Sequence, residues 1–478
     1  MLKRILSLVL AMLFIVACFA GCSNGEDDGT PTLVWYVPGD AQPRLADVIE
    51  EINKITVEKI GAKVDLRFID TSSYQERMDM NMASRDPYDL CFTGYINKYV
   101  DAVNNEALYC ISDILDKAPA LKESIPDYVW EGASVNGKIY AVPNQQIFAS
   151  SICVVMLKEY VDKYGFDISK VTKTEDIEPF LEVIKNNEPQ LYPYRTNYGL
   201  SGFRSMDDKP FWGDVQAFYY AYENEDGTVT YDKKLSEERA LKNSRILHDW
   251  YKKGYIRKDV ATVANDNQDL LAGKYFAWIA TYKPGVEGEI KNSSNYEVVT
   301  AVVQKPKLTN VTSTMIGIGK DSKNPELALK LIELLNTDKE LYNLVCFGIE
   351  GVDYNKVGEN RIETVSNSGY NPNASWKFGN QFNAYLVEGQ SDNVWEETKA
   401  LNDNSVVSPL IGFALDKSNI VGELTQVQTV MSKYSNISNG TVDPDTCFNE
   451  CLAELKKAGI DKIISESEKQ FNEFLKGR

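Results

Sequence analysis

The sequence predicts an α/β protein with two lobes, a chain that crosses between the lobes more than once, and a helical C-terminal region. Its 478 residues allow two or three domains, and its apolar fraction of 43% is sufficient for large cores. Strand and helix patterns alternate near the N-terminus, restart after residue 156 and return as short strands late in the chain. This order favours two interwoven lobes over two domains joined end to end.

The first lobe is predicted from a strand–helix–strand–helix–strand pattern over about 60 residues. Apolar residues after Pro43 recur mostly three or four positions apart, which predicts an amphipathic helix that ends at Gly61. This alternation is typical of a parallel sheet, which binds ligands at the carboxyl ends of its strands. The predicted strands are 32–37, 63–69 and 89–92, and the predicted helices are 43–60 and 74–83.

A second α/β pattern follows a predicted hairpin. Asn136 and Gly137 lie between two β-prone segments, which is a strong signal for a two-residue turn. Asn324 and Pro325 form a typical helix start, and the C-terminal segment is largely helical. After the hairpin we predict strands at 147–156, 275–280 and 314–319, and helices at 158–164, 176–187, 237–253, 268–271, 325–335, 420–434, 447–457 and 462–475.

The N-terminus has the pattern of a signal peptide. Lys3 and Arg4 precede a 16-residue apolar run at 5–20, which is short for a membrane span. Small residues before Cys22 and a polar stretch after it resemble the lipobox of bacterial lipoproteins, which implies cleavage before Cys22 and lipidation of its sulfur. Cys18 is a second possible lipidation site, and an ordinary signal peptide or an N-terminal membrane anchor is the alternative.

These patterns divide the chain into a signal segment, a tether and two lobes. The predicted boundaries are 1–21 for the signal peptide, 22–31 for the tether, 32–146 with 282–318 for the first lobe, and 147–281 with 319–478 for the second lobe and its C-terminal helices.

Composition excludes several classes of function. The formal net charge of −18 disfavours binding to nucleic acid, or to an anionic membrane through charge. His248 is the single histidine, which removes zinc sites built on several histidines and weakens Ser-His or Cys-His catalysis. No GxxxxGK[ST] nucleotide loop or calcium-loop pattern occurs, so we expect no metal and no cofactor. Beyond Cys18 and Cys22 we expect mostly free, buried thiols, and a pairing of Cys110 stays open.

Several runs of residues resemble one protein family. WYVPGD at 35–40, DPYDL at 86–90 followed by Thr93-Gly94, and GKIYAVP at 137–143 resemble extracellular solute-binding proteins of ABC importers. NPNASWKFGNQ at 371–381 and SPLIGF at 408–413 resemble the LipO-like subfamily, which has a C-terminal domain of unknown function. The resemblance covers essentially the whole chain, and its motifs are specific for the family but not for the ligand.

The resemblance implies a type 2 periplasmic-binding-protein fold, also called a venus flytrap. It implies a monomer, lipid-anchored at the extracellular face of the bacterial cytoplasmic membrane, that captures a small solute, an oligosaccharide in many members, by lobe closure. The solute would pass to ABC permease subunits without any enzymatic step. The alternatives are an envelope glycoside hydrolase or lyase, and a sensor lipoprotein that binds sugar or peptide without transport.

A sugar-binding cleft needs aromatic faces for the apolar sides of pyranose rings, and planar polar groups for the hydroxyls. We therefore expect ligand contacts at strand ends and in loops that face the other lobe. The candidates are Trp35, Tyr36, Asp40, Thr93, Tyr95, Asn97, Gln145, Gln146, Trp212, Tyr282, Lys283, Trp376 and Asn380. No catalytic residue is predicted, because adjacent acidic residues on a helix usually form a solvated surface.

Overall fold

The structure is a computed structural model that describes residues 29–215, 218–263, 265–294 and 296–477. The predicted signal peptide, Cys18, Cys22 and most of the tether lie outside the described residues. The described part is a mixed α/β protein with two main sheets and a third, smaller sheet.

The first lobe is built on a five-stranded sheet. Alternate residues of strand Thr32–Pro38 point to opposite faces: Leu33 and Trp35 join one core, and Val34 and Tyr36 pack against another. The first three strands in the chain pair in parallel, as the sequence predicts. The spatial order of the strands is Lys63–Ile69, Thr32–Pro38, Leu90–Gly94, Thr314–Ile318 and Ala141–Pro143.

Helices cover both faces of the first sheet. Helix Leu45–Ile60 buries Val48 and Ile52 against one face, and helix Tyr74–Ser84 buries Tyr74 and Met78 against the other. The predicted hairpin forms between Ser134–Val135 and Lys138–Ile139, with Asn136 and Gly137 both at positive φ. The shorter helices of this part of the chain are Tyr99–Asn104, Pro119–Ser124 and Asp127–Ala133.

The second lobe is built around strand Ala149–Leu157. This strand pairs with Tyr275–Tyr282 on one side, and with Val298–Val302 and Lys307–Leu308 on the other. Short strands Tyr192–Tyr194 and Val406–Val407 extend the sheet at its two edges. The helices of residues 158–294 are Lys158–Tyr164, Glu178–Asn187, Lys233–Lys253, Asn267–Leu271 and Val286–Ser294.

The lobe boundaries differ from the predicted ones. Residues 282–308 belong to the second sheet, and only Thr314–Ile318 of the predicted segment returns to the first sheet. Helices Pro325–Thr337 and Lys339–Phe347 pack in the core of the first lobe, although the sequence assigned them to the second. The physical reason is that an apolar stripe shows that one helix face is buried but does not specify the sheet that buries it.

The C-terminal region forms a third core with part of the second lobe. Its small sheet has Tyr220–Glu223 between Gly213–Asp214 and Val229–Tyr231. Helix Ile460–Lys476 closes this sheet through the amide of Asn472, which bonds to both backbone groups of Val229. The other elements after residue 350 are strands Tyr354–Lys356 and Ile362–Thr364 and helices Val394–Asp403, Val421–Lys433, Ser435–Ser438 and Pro444–Lys457.

Cysteine and histidine side chains serve packing in this fold. All six described cysteines are free thiols; Cys110 and Cys447 are half-buried and the other four are buried. His248 bonds through Nδ1 to the backbone oxygen of Gly440, 2.8 Å away, which ties the long helix of the second lobe to the C-terminal region. Within the described ranges, no helix is long and apolar enough to cross a membrane.

Residues 370–386 also belong to the first lobe, because Tyr370, Phe378 and Ala384 are buried in its core, and Phe378 tests this assignment. Its ring is fully buried and meets Trp35 edge-on at 5.9 Å and Phe68 at 6.4 Å. We expect Phe378→Ala to lower the free energy of unfolding by about 3–5 kcal/mol, because it leaves a cavity in the core. Val357→Ala, at a half-exposed position, should cost less than about 0.5 kcal/mol. Calorimetry that finds equal transitions for the two variants would contradict the assignment.

Candidate functional site

The two sheets face each other along the edges where their parallel strands end. In the first sheet this edge carries Asp40, Tyr95 and the start of the crossing to the second lobe at Asn144. In the second sheet it carries residues 195–198 and 281–283. Because the chain crosses between the sheets at this shared edge, side chains from both lobes border one cleft.

Amide side chains hold the crossing segments together. Gln145 donates to Asn336 Oδ1 at 3.2 Å, and its backbone oxygen accepts from the backbone nitrogen of Gln381 at 2.8 Å. Asn402 accepts from the backbone nitrogens of residues 148 and 149, at 2.9 and 3.0 Å, and donates to the backbone oxygen of Gln146 at 2.7 Å. At the base of the cleft, the side chain of Asn402 therefore hydrogen-bonds to three backbone groups of the crossing segment 146–149.

An aromatic platform lies on the first-lobe side of the cleft. The rings of Tyr95 and Trp376 are 6.1 Å apart, and each also meets Phe92, at 5.7 and 6.3 Å. Tyr95 is 52% exposed, so the platform offers an aromatic surface to solvent. Lys377 Nζ lies 4.9 Å from the Trp376 ring and donates to the backbone oxygen of Pro38 at 2.7 Å, and burial lowers the pKa of this lysine.

A cavity of about 320 Å³ continues from this platform to the second lobe. Lys283 and Glu289 form its second-lobe wall and pair with each other at 2.7 Å. Trp376, Gln381 and Trp395 form part of the opposite wall. This mixture of ring faces, an amide and a charged pair can stack on and hydrogen-bond to a polar ligand with apolar faces.

Two tyrosines extend the polar surface along the edge of the second lobe. Tyr198 is 38% exposed, and its hydroxyl lies 3.4 Å from the hydroxyl of Thr281. Tyr282 is half-buried at the end of its strand, where burial raises the pKa of its hydroxyl. The Tyr282 phenol is thus an uncharged donor at neutral pH.

The predicted site residues separate into three groups. Tyr95, Lys283 and Trp376 lie on the platform or in the cavity. Asp40, Gln146 and Tyr282 lie on the same edge without lining the cavity. Their part in ligand binding stays a prediction.

Other predicted residues serve the structure instead. Trp35 is 1% exposed and Thr93 is fully buried, so their placement in the cleft is corrected to the core. The Asn97 side chain is buried and donates to the backbone oxygen of Phe92. Gln145 is buried and used within the crossing.

Three further predicted residues do not line the cavity: Tyr36, Asn380 and Trp212. Tyr36 packs against Tyr88 and accepts from Arg67. Asn380 holds the crossing through the backbone oxygen of Asn336, and Trp212 packs against the third core. For Tyr36 the reason is the period of two along a strand, which turns neighbouring side chains to opposite faces.

Sequence reasoning missed three residues of the site. Trp395 and Tyr385 line the cavity from a segment in which the sequence predicts no element, and Tyr198 follows a strand of three residues. A tryptophan beside two glutamates at the start of helix Val394–Asp403 was the available signal, and the acidic pair was interpreted as solvated surface.

Comparison with known proteins identifies the family. A model of bacterial extracellular solute-binding proteins matches residues 45–341, and a domain of unknown function matches residues 409–476. The chain belongs to the bacterial extracellular solute-binding protein family. The predicted family and the two-lobed flytrap class of its fold are thereby confirmed.

Several relatives span nearly the whole chain. A carbohydrate ABC transporter substrate-binding protein of Streptococcus pneumoniae is 29% identical, covering 97% of this chain and 96% of its own. A crystal structure of the N-glycan transport solute binding protein of the same species has a TM-score of 0.79 at 28% identity, covering 93% and 99%. Its complex with Man5GlcNAc has a TM-score of 0.61 at the same identity, covering 94% and 99%. A Bifidobacterium longum subsp. infantis solute-binding protein, 18% identical with a TM-score of 0.65 over 93% and 99%, shares the fold.

Asn402 tests the amide network at the crossing. We expect Asn402→Ala to leave two buried backbone nitrogens without acceptors and to cost about 2–4 kcal/mol. Amide hydrogen exchange at residues 146–149 should become faster than in the unmodified protein. Asn404→Ala, two residues later and exposed, should leave exchange in this segment unchanged. Equal exchange in both variants would mean that Asn402 does not hold the crossing.

Proposed function

We propose that this chain is the ligand-binding subunit of an ABC importer that captures an N-glycan-type oligosaccharide of mannose and N-acetylglucosamine. The observation that carries the proposal is the Tyr95–Trp376 platform, which continues into the cavity between the lobes. The relatives at 28–29% identity support the class of ligand, because they are named for carbohydrate and N-glycan transport.

The proposed chemistry is stacking and hydrogen bonding. The apolar C–H face of a pyranose ring would lie on Trp376, while the Gln381 amide and the Lys283 ammonium group would bind hydroxyls. Contacts to both lobes would be complete only when the lobes approach each other. A ligand of this kind shifts the chain from an open to a closed state by its higher affinity for the closed one.

The comparison with solved structures supports such a movement. The chain matches one crystal structure of the N-glycan transport protein, which is named without a ligand, with a TM-score of 0.79. It matches the complexes of that protein with Man1GlcNAc and Man5GlcNAc with lower TM-scores, 0.65 and 0.61. A change in the relative position of two lobes lowers a whole-chain score without changing either lobe.

We propose further that the chain catalyses no reaction. A glycoside hydrolase needs two carboxyl groups on opposite sides of one glycosidic bond. Two carboxyl groups line the cavity, those of Glu289 and Glu388, and Glu289 is paired with Lys283, which suits a fixed binding wall better than a proton donor. Release of shorter sugars during prolonged incubation of the protein with a bound glycan would contradict this.

The proposal places the protein at the outer face of the cytoplasmic membrane. The lipobox-like segment supports thioether lipidation of Cys22, and the family supports delivery of the ligand to permease subunits. We expect the mature protein to act as a monomer, because the two lobes of a single chain form the whole cleft.

Binding tests the cleft. Man5GlcNAc at 100 times its Kd should stabilise the protein by about 2.7 kcal/mol in thermal unfolding. Trp376→Ala should weaken binding about tenfold, because one ring–sugar stack is lost. Tyr251→Ala, in a second-lobe helix away from the cleft, should bind as the unmodified protein does. Loss of affinity in both variants, or in neither, would remove the platform from the site.

Membrane attachment tests the anchor. Cys22→Ser should remove acyl labelling and release the protein from the membrane fraction of a bacterial host, since the thiol that carries the lipid is absent. Cys18→Ser, four residues earlier, should remain labelled and membrane-bound. Acyl labelling that persists in Cys22→Ser but is lost in Cys18→Ser would move the anchor to Cys18.

A further inference from the structure

The second lobe carries a cluster of three cationic side chains that the cavity above does not use. Arg204, Arg239 and Lys307 lie around the rings of Phe211 and Tyr220, whose centroids are 4.7 Å apart. Lys307 Nζ is 3.2 Å from the Phe211 centroid and the Arg204 guanidinium carbon is 5.3 Å from it. Arg239 lies 5.7 Å from the Tyr220 centroid. We call these three side chains the cation cluster.

Two members of the cation cluster are buried without an anionic partner. Arg204 is 8% exposed, its Nε has no hydrogen-bond acceptor, and it forms no ion pair with any carboxylate that the structure describes. Lys307 is also 8% exposed and donates to the backbone oxygen of Phe211 at 3.0 Å. Arg239 alone is paired, with Asp208 at 2.7 Å. Burying an unpaired charge costs free energy, so the buried guanidinium of Arg204 calls for an anion.

The cation cluster lies at the cleft edge of the second lobe. Lys307 is the register partner of Ser150, near the start of strand Ala149–Leu157. The next residue of that strand, Ser151, is the register partner of Tyr282, which ends strand Tyr275–Tyr282 at the cleft edge. A cavity of about 160 Å³, lined by Tyr198, Tyr220 and Arg239, connects the cluster with this edge. A ligand held between the lobes could thus extend to the cluster.

The cation cluster also borders a larger opening. Arg204 and Arg239 line a cavity of about 370 Å³, together with Lys209, Tyr222 and Asp208. Four carboxylates also line this wall, and three of them are engaged: Glu175 pairs with Lys242, Asp208 with Arg239 and Glu238 with Lys234, while Asp207 is the fourth. The guanidinium of Arg204 therefore remains as a donor for an incoming anion.

We propose that the cation cluster binds the carboxylate of an acidic sugar residue at one end of the captured oligosaccharide. The inference rests on the proposed function, because it extends the same ligand along the cleft edge. Guanidinium groups bind carboxylates through paired, charge-assisted hydrogen bonds. The faces of Phe211 and Tyr220 would take the apolar side of the same sugar ring.

The protonation of Lys307 provides an independent signal. Burial and the neighbouring Arg204 and Arg239 lower the pKa of Lys307 to about 7, while Asp214 opposes this shift. Near pH 7.5 a substantial fraction of this lysine is therefore neutral. A bound carboxylate would raise its pKa and draw a proton from the buffer, whereas a neutral sugar would not.

Calorimetric titration of the full mature chain, extracted in detergent, tests the inference. The two probes are a biantennary N-glycan with terminal sialic acids and the same glycan after removal of the sialic acids. We expect the acidic glycan to bind about tenfold more tightly, as charge-assisted contacts to a buried site allow. Its binding should take up protons at pH 7.5, seen as different heats in phosphate and Tris buffers.

Matched variants assign the preference to the cation cluster. Lys307→Met keeps the length and apolar stem of the side chain. Lys307→Met and Arg204→Met, made as separate variants, should each reduce the affinity ratio of the two glycans towards 1. Lys305→Met removes an exposed cation two residues earlier and should keep the full ratio. If the Arg204 variant does not fold, proton uptake by the unmodified protein decides the question.

The outcomes separate the two proposals. Equal affinity for both glycans, without proton uptake, would overturn the acidic-sugar inference and leave the proposed function in place. Binding of neither glycan would overturn the proposed N-glycan function, and the inference with it. An acidic preference that survives in Lys307→Met and Arg204→Met would overturn the assignment to this cluster.

Discussion

The whole structure depends on how the chain crosses between its two sheets at one edge. Every crossing exposes backbone groups that no strand or helix satisfies, so other groups must satisfy them. The amide of Asn402 does this for residues 146–149, and the side chains of Gln145 and Asn336 bond to each other across segments that are far apart in the chain. Because the crossings sit where the parallel strands end, the same constraint that joins the lobes also creates the cleft. The binding surface is thus a consequence of the topology.

Aromatic residues are divided between cores and cleft by this arrangement. Trp35 and Trp250 are fully buried, and neither indole nitrogen has a hydrogen-bond acceptor within the described structure, so both act as apolar volume. Trp376 and Tyr95 instead stay at the open edge, supported from below by Phe92. A half-exposed ring leaves apolar surface in contact with water, which is unfavourable in free energy. A ligand that covers the ring removes this surface from water. The abundance of aromatic residues therefore has two separate physical explanations.

Charge is distributed unevenly as well. The chain carries 69 acidic and 51 basic side chains, yet its second lobe keeps Arg204 and Lys307 buried beside aromatic rings with no anion of their own. Many other cations form surface ion pairs, which contribute little to stability because solvent screens them. This contrast is the observation from which we infer a binding role for the cation cluster.

The sequence by itself determined the local elements and the family. Apolar spacing located the strands and helices of residues 32–94, and the Asn136–Gly137 turn located the hairpin, because local periodicity and turn chemistry act within a few residues. Only the tertiary structure decided that helix Pro325–Thr337 packs in the first lobe, and that Trp35 is core while Trp376 faces the cleft. An apolar helix face or the end of a strand shows that a side chain packs against another element. Which element this is depends on contacts between residues hundreds of positions apart in the chain. Such contacts leave no local pattern in the sequence.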